Sequence, residues 1–235
     1  MTMILRFDPR RRSCDLGLCV ASEIEIKAMV LNRLLGEGKI SSSSLIFNEM
    51  SLARKARRID LGYLSDQEMV AIEVKSERDT LNRLPGQLEV YLRYFDRVIL
   101  VVAPKFIKPV LAAVSPTVEI WEVVDNAVRT VRRGRKVNDI RKEFYLDLMT
   151  KREVGFLAKK LNIPCGDTPV FELKCQVLSK INNISKQKVK EIVIDGLLKR
   201  YGMPSRRFLS KVVPAQNVSV KDVNLLSPYA LLRDI

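Results

Sequence analysis

The 235-residue sequence contains no histidine, and this absence removes several kinds of chemistry. Ser-His-Asp and Cys-His triads, zinc sites with histidine ligands and histidine general bases are all excluded. Any catalysis must therefore rely on carboxylates, lysine, tyrosine, serine or a hard metal ion.

Cysteine, glycine and proline are also scarce. The four cysteines, Cys14, Cys19, Cys165 and Cys175, show no Cys-x-x-Cys spacing, so neither a paired zinc site nor a disulfide framework is indicated. The ten glycines and ten prolines stand in a chain that is 47% hydrophobic, a composition that can bury a core. We therefore expect a folded protein with reduced thiols.

Long apolar runs are missing as well. The run at 98–103 is among the longest, and it is far shorter than the roughly 20 residues that a membrane span needs. Arginines at position 6 and at 10–12 interrupt the apolar residues at the N-terminus, which leaves no apolar region typical of a secretion signal. We expect a cytoplasmic protein with no membrane partner.

The charge is strongly one-sided. Lysine and arginine number 41 against 27 aspartates and glutamates, which gives a formal net charge of +14. The excess is spread over both halves of the chain, so it is not confined to a basic tail. This distribution favours a polyanionic partner, most often nucleic acid, over a merely solvated basic surface.

Hydropathy patterns predict an α/β fold in the first half of the chain. A helix over 22–35 begins with a capping box formed by Ser22 and Glu25. The next patterns predict three strands at 45–51, 59–64 and 69–74, with a hairpin between the second and third. They are followed by a helix at 80–95, a strand at 98–102, a helix at 105–114 and a strand at 118–124. This order predicts a mixed sheet with helices on its faces.

The second half of the chain has a different pattern. After a basic stretch at 132–136, the apolar spacing is helical only, at about 140–161, 170–182 and 186–201, and Gly202 and Pro204 mark the last break. The predicted domains are an N-terminal arm at 1–21, an α/β domain at 22–137 and a basic helical domain at 138–235.

Three charged residues stand inside otherwise apolar predicted strands. Glu73 and Lys75 are two apart on one strand and therefore share a face, and the hairpin brings Asp60 alongside them. Two carboxylates suit a hard cation such as Mg²⁺, and a lysine beside them can orient a nucleophile. The alternatives are solvent-facing residues or a plain ion pair between Glu73 and Lys75. The apolar context favours paired or ligating roles, because isolated buried charges are costly.

This pattern resembles the PD-(D/E)XK nuclease superfamily. The stretch 72–87, IEVKSERDTLNRLPGQ, is similar to the signature [EV]-[IV]-K-S-x-x-D-T-L-x-R-L-x-x-Q of one bacterial and phage branch. The resemblance covers about residues 22–125, is most specific over 60–102, and departs from the common Pro-Asp in having Ile59-Asp60. It implies a restriction-endonuclease-like mixed sheet and metal-dependent hydrolysis of DNA.

The resemblance also implies roles for individual residues. Asp60, Glu73 and the carbonyl of Val74 would ligate Mg²⁺ or Mn²⁺, and Lys75 would position the attacking water. Gln87, followed four residues later by a tyrosine, matches a Q-x-x-x-Y element; the alternative is a polar helix face with an amphipathic tyrosine.

Three acidic residues are candidates for the further carboxylate that often completes such sites. Glu25 matches it, and Glu23 is a rival that points to a different face. Glu49 is a third candidate, either as a ligand or as a structural partner of Arg57 or Arg58.

Nucleic-acid contacts are expected from two places. One is the region after the catalytic strand and the other is the helical domain, with candidates Arg78, Arg83, Tyr91, Lys186, Lys188 and Lys190. Arg78 and Arg83 could equally pair with neighbouring acidic residues, and the helical domain could bind a protein partner or form a homodimer. DNA is favoured over RNA. The alternatives are an RNA or tRNA nuclease with the same site and a non-cleaving DNA-binding adaptor.

Overall fold

The structure is a computed structural model, which describes residues 21–52 and 57–227. The predicted N-terminal arm at 1–21 lies outside the described residues except for Ala21, and so do Cys14 and Cys19. The end of the chain after residue 227 also lies outside them.

The described residues form seven α-helices, eight β-strands and a few short 3₁₀ segments. In chain order the helices and strands are α1 (Glu23–Gly36), β1 (Leu45–Asn48), β2 (Ser51–Leu52), β3 (Arg57–Arg58), β4 (Leu61–Ser65), β5 (Glu68–Lys75), α2 (Leu84–Tyr94), β6 (Arg97–Val102), α3 (Ile107–Ala113), β7 (Glu119–Val124), β8 (Ala127–Arg132), α4 (Lys151–Lys160), α5 (Val170–Lys180), α6 (Lys186–Ala215) and α7 (Val220–Val223). The 3₁₀ segments are Pro104–Phe106, Lys142–Leu148, Ile181–Asn183 and Asn224–Leu226.

Six strands form one mixed sheet in the order β1-β4-β5-β6-β7-β8. The β1/β4, β4/β5 and β7/β8 pairs are antiparallel, while β5/β6 and β6/β7 are parallel. Parallel neighbours need a crossover, and helices α2 and α3 provide it. The predicted α/β fold with a mixed sheet, flanking helices and a helical C-terminal region is confirmed. Strand β8 was not predicted, because its two arginines, Arg129 and Arg132, concealed the alternation.

The sheet is buried on both faces, and the two faces have different partners. Met69 and Ala71 of β5 belong to the core that includes α2 and helices α4 to α6. Val70 and Ile72, on the opposite face, pack with α1 and the end of α6. Because side chains alternate along a strand, Glu73 falls on the α2 face. This face carries the candidate site.

Helix α6 runs through the predicted break at Gly202 and Pro204, so that prediction was wrong. Proline removes one backbone donor, but the helix continues because its second half is held by the sheet. The Ser205 hydroxyl accepts the N–H of Ile46 at 2.8 Å, and Phe208 is fully buried against the α1 face. The second half of α6 therefore covers the edge strand β1.

The long helix predicted over 140–161 is divided in two. A 3₁₀ segment, Lys142–Leu148, precedes α4, and Thr150 begins α4 with a capping box. The Thr150 hydroxyl accepts the N–H of Glu153, and the Glu153 carboxylate accepts the N–H of Thr150 at 2.8 Å. The capping signal therefore lies within the predicted helix.

Gly62 is expected to be intolerant of any side chain. A Cβ atom at this position in β4 would lie 2.2 Å from a ring carbon of Phe47 and 2.8 Å from the carbonyl oxygen of Val70. We expect Gly62→Ala to lower the free energy of unfolding by about 3 kcal/mol, because the overpacking involves backbone. Urea unfolding would measure it. Gly36→Ala, where nothing lies within 4 Å, is the matched control, and equal effects of the two substitutions would contradict the prediction.

Candidate active site

The site begins where the pairing of β4 with β5 ends. The last pair of the ladder is Leu61 with Ile72, so β5 extends beyond its neighbour. Asp60 lies beside the part of β5 that β4 does not pair with, and its Oδ2 accepts the N–H of Val74 at 2.8 Å. The carboxylate thus replaces a strand partner and is fixed next to β5.

Glu73 is held by three donors. Its side chain is 1% exposed, and Oε1 accepts from Lys75 Nζ at 2.5 Å and from Gln87 Nε2 at 2.6 Å. Oε2 accepts from the Tyr91 hydroxyl at 2.7 Å. The same hydroxyl lies 2.8 Å from the carbonyl oxygen of Arg58. A buried carboxylate is tolerated only with such partners, so the predicted Q-x-x-x-Y pair supports the Glu73–Lys75 ion pair.

The two carboxylates influence each other. Burial first, and then the negative charge of Glu73, raise the pKa of Asp60 to about 7, against the opposing hydrogen bond from Val74. Burial and the Glu73 charge also raise the pKa of Tyr91, so its hydroxyl remains a donor. Close carboxylates of this kind favour a nearby positive charge.

The donor set fits a hard divalent cation. In a β-strand the N–H and C=O of one residue point to the same edge, so the Val74 carbonyl lies on the edge that Asp60 occupies. Gln87 Oε1 is buried and has no hydrogen-bond partner in the described part of the chain. Two carboxylates and a carbonyl, with retained waters, are typical of Mg²⁺. The described residues hold no cluster of three or more His, Cys, Asp or Glu side chains that could bind a metal ion, so a cation here would have two carboxylate ligands and would depend on the carbonyl and water for the rest.

Glu25 is not one of the residues that line the cleft, in contrast to its predicted role. Its Oε2 accepts the Ser22 N–H at 2.7 Å and the Ser22 hydroxyl at 2.6 Å, which is the capping box at the start of α1. The rival, Glu23, lines the cleft instead. The sequence carried the signal for this correction, because a capping-box glutamate turns back toward its own helix terminus.

Lys27 was missed by the sequence analysis. Lys27 is only 3% exposed, and its Nζ lies 2.6 Å from Glu23 Oε1 and 4.0 Å from Glu49 Oε1. Glu49 also contacts Arg58, with 3.1 Å between Oε2 and Nη1, which is the structural role considered for it. The available signal was a lysine between apolar residues on the buried face of a helix.

Asp60, Glu73 and Lys75 open onto a cleft of about 340 Å³, to which β3 and α2 add further side chains. Its lining consists of Glu23, Arg57, Arg58, Asp60, Glu73, Val74, Lys75, Asp79, Arg83 and Gln87. The cleft therefore combines carboxylates with lysine and arginine side chains.

Three predicted nucleic-acid contacts near the site have different positions. Arg83 is exposed and lines the cleft. Arg78 is exposed but is not among the lining residues. Tyr91 is fully buried beneath Glu73, so that prediction was wrong for Tyr91. A tyrosine four residues after Gln87 shares its helix face, and here that face points into the protein.

Lys190 is engaged in the interior rather than at a nucleic-acid surface. Its Nζ lies 2.8 Å from Asp96 Oδ2, which also accepts the N–H of Met69 at 2.7 Å, and its side chain is 14% exposed. This ion pair joins α6 to the sheet, which gives Lys190 a structural role in place of the predicted phosphate contact.

Lys186 and Lys188 are exposed at the far end of the sheet from the cleft. Between them, Gln187 donates to Gln67 at 3.0 Å, in the turn that joins β4 to β5. From this turn to Glu73 the strand spans roughly 20 Å. These two lysines therefore do not join the cleft.

Comparison with known proteins gives three findings. Residues 19–227 match the family model described as Bacteriophage P4 protein cII. "Protein cII" of Enterobacteria phage P4 is 32% identical over 210 residues, which cover 87% of this chain and 77% of that protein. A solved structure, the SPO1766 protein of unknown function from Silicibacter pomeroyi, is similar with a TM-score of 0.40 and 17% identity, over 61% of this chain and 94% of that one.

Among residues 21–52 and 57–227, none of the helices combines the length and apolar character that crossing a membrane requires.

Proposed function

This chain belongs to the bacteriophage P4 protein cII family, and from the geometry of its cleft we propose that it is a metal-dependent nuclease that hydrolyses DNA phosphodiester bonds. One observation carries the proposal. Asp60, Glu73 and Lys75 line one cleft, and the buried Glu73 is bonded to Lys75, Gln87 and Tyr91. The proposal includes membership of the PD-(D/E)XK superfamily and action in the cytoplasm.

Asp60, Glu73 and the Val74 carbonyl would hold Mg²⁺ or Mn²⁺. Such an ion supplies positive charge that offsets charge on the phosphate and favours ionisation of water. The chain contributes the rest. Lys75 Nζ, fixed by Glu73, orients the attacking water, and Arg83 can bind a phosphate oxygen. Attack of water on phosphorus breaks the bond to the 3′ oxygen and leaves a 5′-phosphate and a 3′-hydroxyl.

A second candidate is a DNA-binding adaptor that does not cleave. One observation favours it, because both oxygens of Glu73 already accept hydrogen bonds from protein groups. In such a protein the ion pair of Glu73 with Lys75 would serve stability alone. Asp60 opposes this alternative. Because its pKa is raised, ionising it at pH 7 lowers the stability of the fold, and such a cost is typical of a residue with a functional role.

We expect cleavage of at least one nucleic acid in Mg²⁺ or Mn²⁺ and none in EDTA. The assay would present supercoiled plasmid, single-stranded DNA, a branched junction and tRNA to the purified chain, and would resolve the products on gels. The substrate that is cut fastest then decides between DNA and RNA. Binding to these substrates without cutting any of them would contradict the nuclease and favour the adaptor.

A further inference from the structure

A two-stranded ribbon beside the cleft is separate from the main sheet. It pairs Ser51 with Arg58 and Leu52 with Arg57, in antiparallel register. The ribbon leads directly into the site, because its second strand ends two residues before Asp60. Its position is therefore tied to that of the candidate catalytic residues.

The base of the ribbon is anchored in the protein. Leu52 is 1% exposed, and Ile59 is fully buried in the same core. The Ile59 N–H donates to the Met50 carbonyl at 3.0 Å, and the Glu49 N–H donates to the Asp60 carbonyl at 3.1 Å. The ribbon residues thus start from a fixed base rather than from a free loop.

The outward side of the ribbon carries arginines at the mouth of the cleft. Arg57 and Arg58 are both exposed, and the Arg58 side chain is 61% exposed although it contacts Glu49. The Arg57 guanidinium lies next to Gly86 in the first turn of α2. A Cβ atom added to Gly86 would lie 3.4 Å from Arg57 Nη2. Arg83 lines the same cleft from the start of α2. Three guanidinium groups therefore surround the opening.

The acidic residues of the cleft have partners of their own. Glu73 is bonded to Lys75, and Glu23 contacts Lys27 at 2.6 Å. Asp79 Oδ2 accepts the N–H and the hydroxyl of Ser76, at 2.8 and 2.6 Å. These contacts orient the carboxylates within the cleft, while Arg57 and Arg58 are exposed at its mouth.

We propose that Arg57 and Arg58 of the ribbon, with Arg83, form a clamp for the sugar-phosphate backbone on either side of the bond to be cut. Guanidinium groups bind phosphate oxygens in pairs of hydrogen bonds, and such contacts make affinity depend on salt. The clamp replaces the predicted contact with the C-terminal lysines. Its place around the scissile bond rests on the proposed function, whereas the binding itself does not.

The test compares two double substitutions that remove equal charge, Arg57→Gln/Arg58→Gln and Lys186→Gln/Lys188→Gln. Fluorescence anisotropy on the whole chain, in EDTA, would give affinity for a duplex and for one of its strands over about 50 to 200 mM salt. We expect the arginine pair to lower the slope of log K against log salt by about 2 on the duplex and affinity at least about tenfold. The lysine pair should leave both quantities unchanged.

The same measurements distinguish duplex from single-stranded DNA as the bound form, and they test the clamp separately from the nuclease. Arg57→Lys/Arg58→Lys should restore the slope, and thermal melting should show that all variants fold. The form whose slope falls more, duplex or single strand, is the one that the clamp holds. An unchanged slope in the arginine pair would overturn the clamp, even if cleavage persists. Salt-dependent binding through these arginines without any cleavage would support the clamp and overturn the nuclease.

Discussion

Replacing Lys75 with alanine is expected to lower the cleavage rate at least about 1,000-fold while leaving nucleic-acid affinity nearly unchanged. Loss of one preorganised cationic group at the reacting phosphate removes about 4 kcal/mol of transition-state stabilisation. Binding should be spared because the Lys75 side chain is only 10% exposed and is bonded to Glu73, so it adds little to the outer surface. Single-turnover cleavage and anisotropy, on the same substrate, measure the two quantities.

Lys174 provides the matched control for this substitution. Its side chain is similarly shielded, at 13% exposed, and lies 3.5 Å from Asp147, but it is not among the residues that line the cleft. Lys174→Ala therefore removes a lysine of the same kind without touching the site, and it should cleave at the wild-type rate. Equal cleavage by Lys75→Ala and the wild type would remove Lys75 from the mechanism.

Asp60→Asn is expected to abolish cleavage and to stabilise the metal-free protein at alkaline pH. The folded-state pKa of Asp60, about 7, lies above the usual value of about 3.9 for aspartate, so the folded protein binds this proton more tightly than the unfolded chain does. Folding stability is therefore lost as pH rises from about 4 toward 7, and asparagine removes that loss. The gain from the substitution should grow by on the order of 2 kcal/mol between about pH 5 and pH 8.

Urea unfolding in EDTA at the two pH values would measure this gain. Asp139→Asn is the control, because Asp139 is exposed and lies outside the cleft lining, so the same substitution there removes a carboxylate without touching the site. A functional residue that costs stability is a known trade-off. If Asp60→Asn destabilised the protein equally at both pH values, a purely structural role for Asp60 would be the better account.

Local patterns were sufficient to predict the core of the fold. The continuous apolar run in β5, the capping box at Ser22 and the apolar stripe of α2 each specify an element without help from distant residues. The same patterns placed Asp60, Glu73 and Lys75 together, because a hairpin and a strand period fix their relation. Gln87 was predicted as a site residue only through the resemblance, and the structure places its Nε2 2.6 Å from Glu73 Oε1.

Contacts between distant segments were not predictable from local patterns. Lys190 looked like one of several surface lysines, but its partner Asp96 is 94 residues away. Pro204 looked like a helix break, but packing of α6 on β1 outweighs the lost hydrogen bond. Tyr91 faces inward because the face of α2 that carries it packs on the sheet. Which face packs there depends on how the helices and the sheet assemble, and not on the local sequence.

Plasmid cleavage decides whether the cleft hydrolyses DNA: the conversion of supercoiled plasmid to nicked or linear DNA is measured for the wild type and for Asp60→Asn, side by side, with Mg²⁺ and with EDTA. We expect product only from the wild type with Mg²⁺, and none from Asp60→Asn although it folds and binds DNA. Equal product from both proteins would contradict this expectation, because cleavage would then not depend on the carboxylate that defines the site.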